Sequence, residues 1–393
     1  MAGICGGLVT DTPYDVAIIG AGIVGLAHAL AAVRLGKRVV VIDRDTRANG
    51  ASVRNFGFVT VTGQAAGITW ERARRSREIW AEIAPQAGID VLQQGLVMLA
   101  RRPEAAAVLE AFAYSEMGRE CQLLGPAAAR QRYPSLAPAA LEGALWSPHE
   151  LRVESRDAVP LLASWLESAH GVAFRRGTMV HGVEPPSIET SDGVIRADTA
   201  IVCPGDDLLS LFPERLAAYR LTRCRLHMLR VAPPSPHWRM PAPVMSDLSL
   251  VRYPGYAALP EADALRERLE TEQPEYLANG IHLIAVQGAD GSLVIGDSHH
   301  YDQTPTPFSG EEVDNLIMEE CATALGHSPG SVLERWSGTY PKANDRDALV
   351  DCPRDDVRLV LVSSGTGAST AFAIAEETLN GLLSTSCNNR GTV

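Results

Sequence analysis

A glycine-rich turn near the N-terminus, GAGIVG at residues 20–25, has the spacing of a phosphate-binding site. Gly20 permits a tight turn, Gly22 lets the backbone approach a pyrophosphate, and Gly25 allows a following helix to pack closely on the preceding strand. A helix that begins in such a turn offers free N–H groups and the positive end of its dipole to an anion. The run therefore indicates a dinucleotide site.

Two buried strands and a helix are expected to position this turn. The apolar runs 15–19 and 38–42 predict strands, and residues 26–35 predict a helix that is closed by a glycine. Asp43 lies 23 residues after Gly20, where a carboxylate accepts hydrogen bonds from ribose hydroxyls. The carboxylate of Asp43 disfavours NADP, although Arg44 beside it leaves that alternative open.

A second glycine turn lies near the other end of the chain. An apolar strand at 357–362 leads into SGTGAST at residues 364–370, and a helix is predicted at 371–383. Taken alone, this is an ordinary strand–helix connection. The segment NGASVRNFGF at residues 49–58 directly follows the nucleotide unit. The three segments together carry more information than any one of them.

These segments resemble the FAD-dependent amine and amino-acid oxidases of the D-amino-acid oxidase superfamily, the group that includes glycine oxidase and sarcosine oxidase. The resemblance is richest in motifs at residues 15–64, 195–206 and 333–383. It implies a bound FAD, with the 365–369 loop and its helix end stabilising negative charge on the reduced flavin. The cofactor-binding positions that it implies are Gly20, Gly22, Ile23, Val24, Gly25, Asp43, Arg44, Ser52, Arg54, Asn55, Gly57, Phe58, Val180, Pro204, Gly205, Gly338, Gly365, Thr366, Gly367, Ala368 and Ser369.

The chain departs from this family at three positions that usually matter. Tyr340 stands where glycine oxidases have a carboxylate-binding arginine, and Ser369 stands where sarcosine oxidases have a lysine. Near Gly338, sarcosine oxidases have the cysteine that tethers the flavin. We therefore predict non-covalent FAD and a substrate that is held in neither usual way.

Other residues must then anchor and orient the substrate. Lys342 is a candidate for anion binding or for promoting electron transfer to oxygen, although a solvent-facing lysine is equally compatible with the sequence. Arg54 and Arg252 are candidates for a carboxylate or phosphonate, and Arg54 also suits a structural pair. Tyr340 and Tyr253 can shape the pocket. No general base is assigned.

Two adjacent histidines, His299 and His300, follow a predicted strand at 292–295. Neighbouring side chains of an extended chain point to opposite faces, so at most one of the two faces a pocket. We list both as catalytic candidates, and His300 also as a substrate contact. We predict no metal site, because no third ligand stands at a recognisable spacing.

The chain is therefore predicted to oxidise the C–N bond of a small amine to an imine, which water hydrolyses to an aldehyde or keto product. Segments 54–57, 63–64 and 296–301 resemble a subgroup associated with phosphonate breakdown, which implies an aminoalkylphosphonate such as 2-aminoethylphosphonate or its N-methyl form. The alternatives are a D-amino acid, glycine or sarcosine oxidase, a dehydrogenase, a flavin monooxygenase and a non-catalytic flavin subunit. No second GxGxxG follows, so NAD(P)H is disfavoured as the reductant, and oxygen or a separate carrier must accept the electrons.

Composition limits the partners and the location. The net charge of −12 disfavours a nucleic-acid partner. The seven cysteines are scattered without a CxxC spacing, which is typical of free thiols in a reducing compartment. The apolar run 16–33 contains the glycine turn and is better explained by a buried strand–turn–helix than by a membrane span. Residues 1–13 lack the features of a signal peptide, so a cytoplasmic protein is expected.

We predict an α/β (α+β) fold, with a Rossmann-type FAD-binding domain and a second, mostly antiparallel-sheet substrate domain. The FAD-binding domain is expected at 14–84, 150–210 and 333–385, the substrate domain at 85–149 and 211–332, and flexible termini at 1–13 and 386–393. Helices are predicted at 69–84, 103–118, 157–170 and 311–325, and substrate-domain strands at 95–101, 226–231 and 281–286.

Overall fold

The computed structural model describes residues 13–388, and the side chains of residues up to 382. Its strands are β1 Tyr14–Ile19, β2 Val39–Asp43, β3 Phe58–Val59, β4 Val91–Ala100, β5 Gln122–Leu124, β6 Gly143–Val153, β7 Ala173–Arg176, β8 Val180–Glu184, β9 Ser187–Thr190, β10 Gly193–Val202, β11 Thr222–Val231, β12 Val244–Met245, β13 Ile284–Gln287, β14 Leu293–Gly296, β15 His300–Asp302, β16 Val332–Lys342, β17 Ala348–Arg354 and β18 Val357–Val362.

The α-helices are α1 Ile23–Arg34, α2 Ile68–Ile83, α3 Pro103–Ala113, α4 Pro126–Arg132, α5 Ser155–His170, α6 Pro213–Ala218, α7 Pro254–Ala257, α8 Glu261–Glu272, α9 Pro274–Ala278, α10 Glu311–Leu325 and α11 Gly367–Asn388. Two short 3₁₀ helices lie at Ala51–Val53 and Asp247–Val251. None of the helices in the described part of the chain is long and apolar enough to cross a membrane.

The first sheet has the strand order β17-β18-β10-β1-β2-β7, and β8 and β9 extend it from β10. β18, β10, β1, β2 and β7 run parallel to one another. Their carboxyl ends therefore meet at one edge, where ligands of open α/β sheets bind. The two glycine turns and Asp43 all lie at this edge, because each follows one of these strands.

The second sheet has the order β15-β11-β14-β13-β12-β4-β6-β3, with β16 paired to β11 and β5 to β6. All of its pairings are antiparallel except that of β12 with β4. The prediction of a Rossmann-type unit with a second, mostly antiparallel sheet is therefore confirmed.

Sheet membership differs from the predicted domain boundaries at three places. β3 and most of β16 lie within segments assigned to the FAD-binding domain, yet both strands pair within the second sheet. β6 crosses the predicted boundary at 149–150. The predicted flexible termini lie outside the described residues, except for Pro13 and for residues 386–388, which continue α11.

Most predicted elements are present, and the differences have local causes. α10 and β18 have the predicted bounds. α3 ends at Ala113 rather than at residue 118. Just after this end, the Ser115 hydroxyl donates to the Phe112 carbonyl, and this bond competes with continuation of the helix. β13 begins at Ile284 rather than at residue 281, since Leu283 has a left-handed φ of 35° that interrupts an extended strand.

Candidate active site

A cavity of about 420 Å³ lies between the carboxyl edge of the first sheet and the second sheet. It extends from the first turn of α1, past the start of α11, to β16 and the β14–β15 connection. The predicted residues that line it are Gly22, Ile23, Val24, Gly25, Ser52, Arg54, Asn55, Phe58, Gly205, Arg252, Tyr253, His299, Gly338, Tyr340, Lys342, Gly365, Thr366, Gly367, Ala368 and Ser369.

The α1 end of the cavity is built for an anion. α1 begins at Ile23, and its N-cap residue Gly22 has no side chain that could accept from the first-turn N–H groups. The Ser52 hydroxyl lies 2.9 Å from the Ile23 amide and accepts its hydrogen bond. A Cβ at Gly25 would lie 1.9 Å from the Gly20 carbonyl oxygen, so only glycine permits this approach of helix and strand. This uncapped cradle fits a pyrophosphate.

Asp43 holds the glycine turn in place. Its Oδ2 accepts from the Ala21 amide at 2.6 Å, and its Oδ1 accepts from the Asp45 amide at 2.8 Å. Arg44 points to Asp207 and forms an ion pair at 2.6 Å. Neither Asp43 nor Arg44 lines the cavity.

Several other predicted cofactor residues also lie outside the cavity lining. Val180 is buried in the core beneath the first sheet, and Pro204 lies beside the lining residue Gly205. Gly20 has a φ of 106°, and Gly57 would place a Cβ 1.8 Å from the Val153 carbonyl oxygen. The structure gives these two glycines a packing role.

The middle of the cavity is formed where several chain segments cross closely. Gly365 has a φ of 78°, and a Cβ there would lie 3.0 Å from the Tyr340 ring. The Ser369 hydroxyl accepts from the Thr60 amide at 2.8 Å, and Gln64 Nε2 donates to Thr60 Oγ1 at 2.7 Å. These bonds fix the first turn of α11, which begins four residues earlier than predicted and therefore includes Gly367, Ala368 and Ser369.

Arg54 connects the chain segment that follows β2 to strand β16 of the second sheet. Its Nη2 donates to Asn49 Oδ1 at 3.1 Å and its Nη1 to the Ser337 carbonyl at 3.4 Å, and no carboxylate of the described residues pairs with it. The Asn55 side chain donates to the Ala51 and Ser52 carbonyls and accepts from the Gly57 amide. Both residues therefore shape the wall of the cavity that they line.

A cluster of polar side chains occupies the end of the cavity formed by the second sheet. The half-buried Arg252 donates from Nη2 to the Tyr301 hydroxyl at 3.1 Å. Lys342 is half-buried at the end of β16, and Tyr340 lies opposite Cys224 of β11. The remaining members of the cluster are Tyr253, His282, Asp297 and His299.

The two adjacent histidines face opposite ways, as the extended chain predicts. His299 lines the cavity, whereas His300 Nε2 lies 3.1 Å from Asn279 Oδ1 and its ring is 5.7 Å from that of His227. His300 therefore does not fit the catalytic or substrate-contact role that we predicted for it, because its side chain is directed away from the cavity.

Burial sets the charge states in this cluster. It lowers the pKa of His282 and brings that of His299 well below its usual range, because burial disfavours the charged imidazole. Burial alone would raise the pKa of Asp297, but His299, His282 and Arg252 outweigh it and lower this pKa to about 2. Burial raises the pKa of Tyr340 well above its usual range.

Sequence reasoning missed His282, Asp297, Thr60 and Gln64 as candidate site residues. Asp297 stood in the segment next to the predicted histidines, but His282 lies 15 residues earlier. The antiparallel register of β13 and β14 pairs Ile284 with Gly296 and so brings His282 beside Asp297 and His299. The predicted strands at 281–286 and 292–295 could have been joined into a hairpin, and that hairpin would have identified this group from the sequence.

Comparisons with known proteins agree with this geometry. A family model described as FAD dependent oxidoreductase (DAO) matches residues 15–380. Glycine oxidase from Geobacillus kaustophilus (strain HTA426) is 27% identical over 206 residues, which cover 49% of this chain and 54% of that protein. The chain thus aligns with about half the length of this curated relative.

Solved structures share the fold over nearly the whole chain. Glycine oxidase from Geobacillus kaustophilus has a TM-score of 0.74 at 19% identity, covering 95% of each chain. L-proline dehydrogenase from P. horikoshii has a TM-score of 0.73 at 17% identity, covering 97% of this chain and 94% of that one. L-alpha-glycerophosphate oxidase from Mycoplasma pneumoniae has a TM-score of 0.73 at 15% identity, covering 94% of each.

Proposed function

The chain belongs to the DAO family of FAD-dependent oxidoreductases, and we propose that it oxidises the C–N bond of a small amine that carries an anionic group. One observation carries this proposal. A single cavity joins an uncapped helix start, the first turn of α11 and a polar cluster that contains Arg252 and Lys342. The cavity thus offers a cofactor cradle at one end and two cations for a substrate at the other.

When bound, FAD supplies the two-electron acceptor for the carbon beside the amine, and the imine product then reacts with water. The chain's own residues bind and orient the cofactor and the substrate. The first turn of α1 would hold the phosphates of FAD, and the start of α11 would stabilise negative charge on the reduced flavin. Arg252 holds the anionic group of the substrate, and Lys342 provides a second positive charge. The buried Tyr340 and the half-buried Tyr253 exclude water from the same space.

We favour an aminoalkylphosphonate, 2-aminoethylphosphonate or its N-methyl form, as the substrate. Support comes from Tyr340, which replaces the arginine expected for a simple α-amino acid, and from Arg252 and Lys342 at the same end of the cavity. The second candidate is a glycine, sarcosine or D-amino acid oxidase. The 27% identity to a glycine oxidase favours it.

Oxygen is our favoured electron acceptor, and a quinone or a carrier protein is the alternative. We also place the protein in the cytoplasm, which the free thiols of Cys121, Cys203, Cys224, Cys321 and Cys352 support.

Anaerobic mixing of the purified yellow protein with a panel of amines tests the function directly. Loss of flavin absorbance with 2-aminoethylphosphonate or its N-methyl form, but not with glycine or D-alanine, is the expected result. Bleaching by glycine instead would transfer the proposal to the amino-acid alternative. Bleaching by NADH or NADPH alone would favour a monooxygenase, and no bleaching by any compound would favour a non-catalytic flavin subunit. Admitting air to the reduced protein then distinguishes an oxidase from a dehydrogenase by the rate at which the colour returns.

A further inference from the structure

Three buried side chains of the cavity wall direct acceptor atoms at a common point. One nitrogen each from His282 and His299 and a carboxylate oxygen of Asp297 lie within 4.8 Å of one another. All three residues are at most 8% exposed. His282 precedes β13, and the other two residues lie in the connection between β14 and β15, so a hairpin holds them together.

The contacts around each imidazole direct its Nε2 towards Asp297. His299 Nδ1 lies 2.9 Å from the Gly280 carbonyl, which can only accept, so Nδ1 carries the hydrogen and Nε2 is left for a metal ion. His282 Nε2 lies 2.9 Å from Asp297 Oδ1, which can only accept, and the Ser249 hydroxyl lies 3.4 Å from Nδ1. A metal ion at His282 would therefore displace the proton from Nε2, which Nδ1 can then carry towards Ser249. Metal-binding histidines are commonly held in this way, with the second nitrogen donating to a carbonyl or a hydroxyl.

The distances within the group are compatible with a shared metal ion. His299 Nε2 is 3.6 Å from Asp297 Oδ2, which is longer than a hydrogen bond. His282 Nε2 is 2.9 Å from Oδ1, yet this buried oxygen has no hydrogen-bond partner of acceptable geometry in the described chain. Metal–ligand bonds of about 2.0–2.1 Å in a tetrahedron place neighbouring ligand atoms roughly 3.3–3.4 Å apart, between these two values.

No arginine among the described residues forms an ion pair with the carboxylate of Asp297, although the charge of Arg252 helps to lower its pKa. Arg252 donates to Tyr301, and the ion-pair partners of Asp297 within the described residues are the two histidines. An ionised carboxylate that is buried without a full partner is costly, and a bound cation removes that cost.

We propose that His282, Asp297 and His299 form a binding site for a divalent metal ion of the zinc class. Two imidazoles and one carboxylate are a typical ligand set for such an ion. The fourth position faces the cavity, where a water molecule or an anionic oxygen can coordinate. This proposal does not depend on the amine-oxidising function, because metal binding is measured without turnover.

Zinc titration of the metal-stripped holoenzyme tests the site, with a chromophoric chelator as competitor. We expect one zinc ion per chain, and an affinity at least about tenfold lower in Asp297→Asn and His299→Gln. His300→Gln is the matched control, since the neighbouring histidine is directed away, and it should bind zinc as the native protein does. The FAD content of each variant shows whether it has folded.

A second measurement uses the unmodified protein. Cobalt(II) added to the stripped holoenzyme should produce d–d absorption at wavelengths beyond the flavin bands, and added zinc should abolish it. Zinc affinity that is the same in the native protein and Asp297→Asn, or cobalt spectra of the free ion only, would overturn the proposal and leave the three residues as a proton-sharing group.

Discussion

Arg252 shows how the structure turns one residue type into a specific anchor. It is half-buried in the cavity wall, and its guanidinium is oriented by the Tyr301 hydroxyl at 3.1 Å. A guanidinium held in this way can meet a planar or tetrahedral anion with two parallel hydrogen bonds. In the proposed function, Arg252 therefore acts in ground-state binding of the anionic group rather than in the oxidation itself.

We expect Arg252→Gln to raise the KM of the anionic substrate about 10- to 100-fold, because hydrogen bonds to charged groups contribute about 1.5–3 kcal/mol. The value of kcat should change much less. The control is Arg335→Gln, whose native side chain is 59% exposed and paired with Asp314, and it should leave KM unchanged. Steady-state kinetics of the two variants measure both KM and kcat. Equal KM values in the two variants would remove Arg252 from the substrate site.

His28 is a second residue whose surroundings set its chemistry. It is buried within α1 and lies 2.7 Å from the Val24 carbonyl, and burial lowers its pKa to about 4. Between about pH 6.5 and 4 the unfolded chain binds a proton at this residue that the folded protein does not. Stability therefore falls as the pH drops through this range.

His28→Gln should reduce this acid-side loss of stability by up to about 3 kcal/mol, the equivalent of the pKa shift. Urea unfolding at pH 7 and pH 4.5 measures it in each protein. The exposed His181→Gln is the matched control and should show the native pH dependence. A native pH dependence in His28→Gln would contradict the assignment.

At the scale of elements, the cofactor cradle depends on the close packing of β1 against the start of α1. A Cβ added at Gly25 would lie 1.9 Å from the carbonyl oxygen of Gly20. This oxygen belongs to the backbone, so it cannot rotate away as a side chain could. The helix must therefore shift from the strand if any side chain is introduced.

Gly25→Ala should lower FAD affinity at least about tenfold, because overpacking of this kind costs about 1–3 kcal/mol. Flavin retained after dialysis and the fluorescence of added FAD measure the affinity, and thermal unfolding of the apoprotein separates it from folding. Gly125→Ala is the control, since a Cβ at that position meets no atom within 4 Å. Native FAD affinity in Gly25→Ala would refute the role given to this contact.

For the whole molecule, the site exists only because the two sheets meet. The first sheet provides helix starts and the second provides the polar cluster. Within the second unit, a buried ion network joins Arg101, Asp247 and Glu320, from three separate elements; Arg101 Nη2 is 2.6 Å from Asp247 Oδ1. Breaking it leaves buried charges without partners.

Arg101→Met should lower the free energy of unfolding by about 3–5 kcal/mol, because the buried Glu320 loses its ion-pair partner and Asp247 keeps only Arg102. Arg335→Met, which breaks an ion pair with an exposed arginine, should cost no more than about 1 kcal/mol. Urea titration monitored by fluorescence compares them. Similar losses in both variants would show that the network contributes little.

The whole-molecule fold also bears on how FAD is held. Cys203 is the cysteine that lines the cavity among the described residues, and burial raises the pKa of its thiol, so it is a poor nucleophile. We expect acid precipitation to leave a colourless pellet and a yellow supernatant, in the native protein and in Cys203→Ser alike. Flavin that stays with the native pellet would contradict non-covalent binding.

The sequence by itself determined the nucleotide-binding unit and the fold class. Strand β1, its glycine turn, α1, β2 and Asp43 are consecutive, so their spacing reports local geometry that does not depend on distant residues. The same holds for α10 and β18, whose bounds follow from their hydrophobic patterns. The departure at Tyr340 was equally visible in the sequence, because it lies within a short motif.

Only the tertiary structure decided which polar residues share the cavity. His282, Asp297 and Arg252 come together through the pairing of β13 with β14 and the packing of the 3₁₀ helix at Asp247–Val251 nearby. The β13–β14 hairpin is local and could be predicted, but the approach of Arg252 to it leaves no spacing in the sequence. The choice between His299 and His300 likewise depended on which face of the β14–β15 connection meets the cavity. Side-chain alternation allows only one of the two histidines to face the cavity, and the packing of the sheets determines that it is His299.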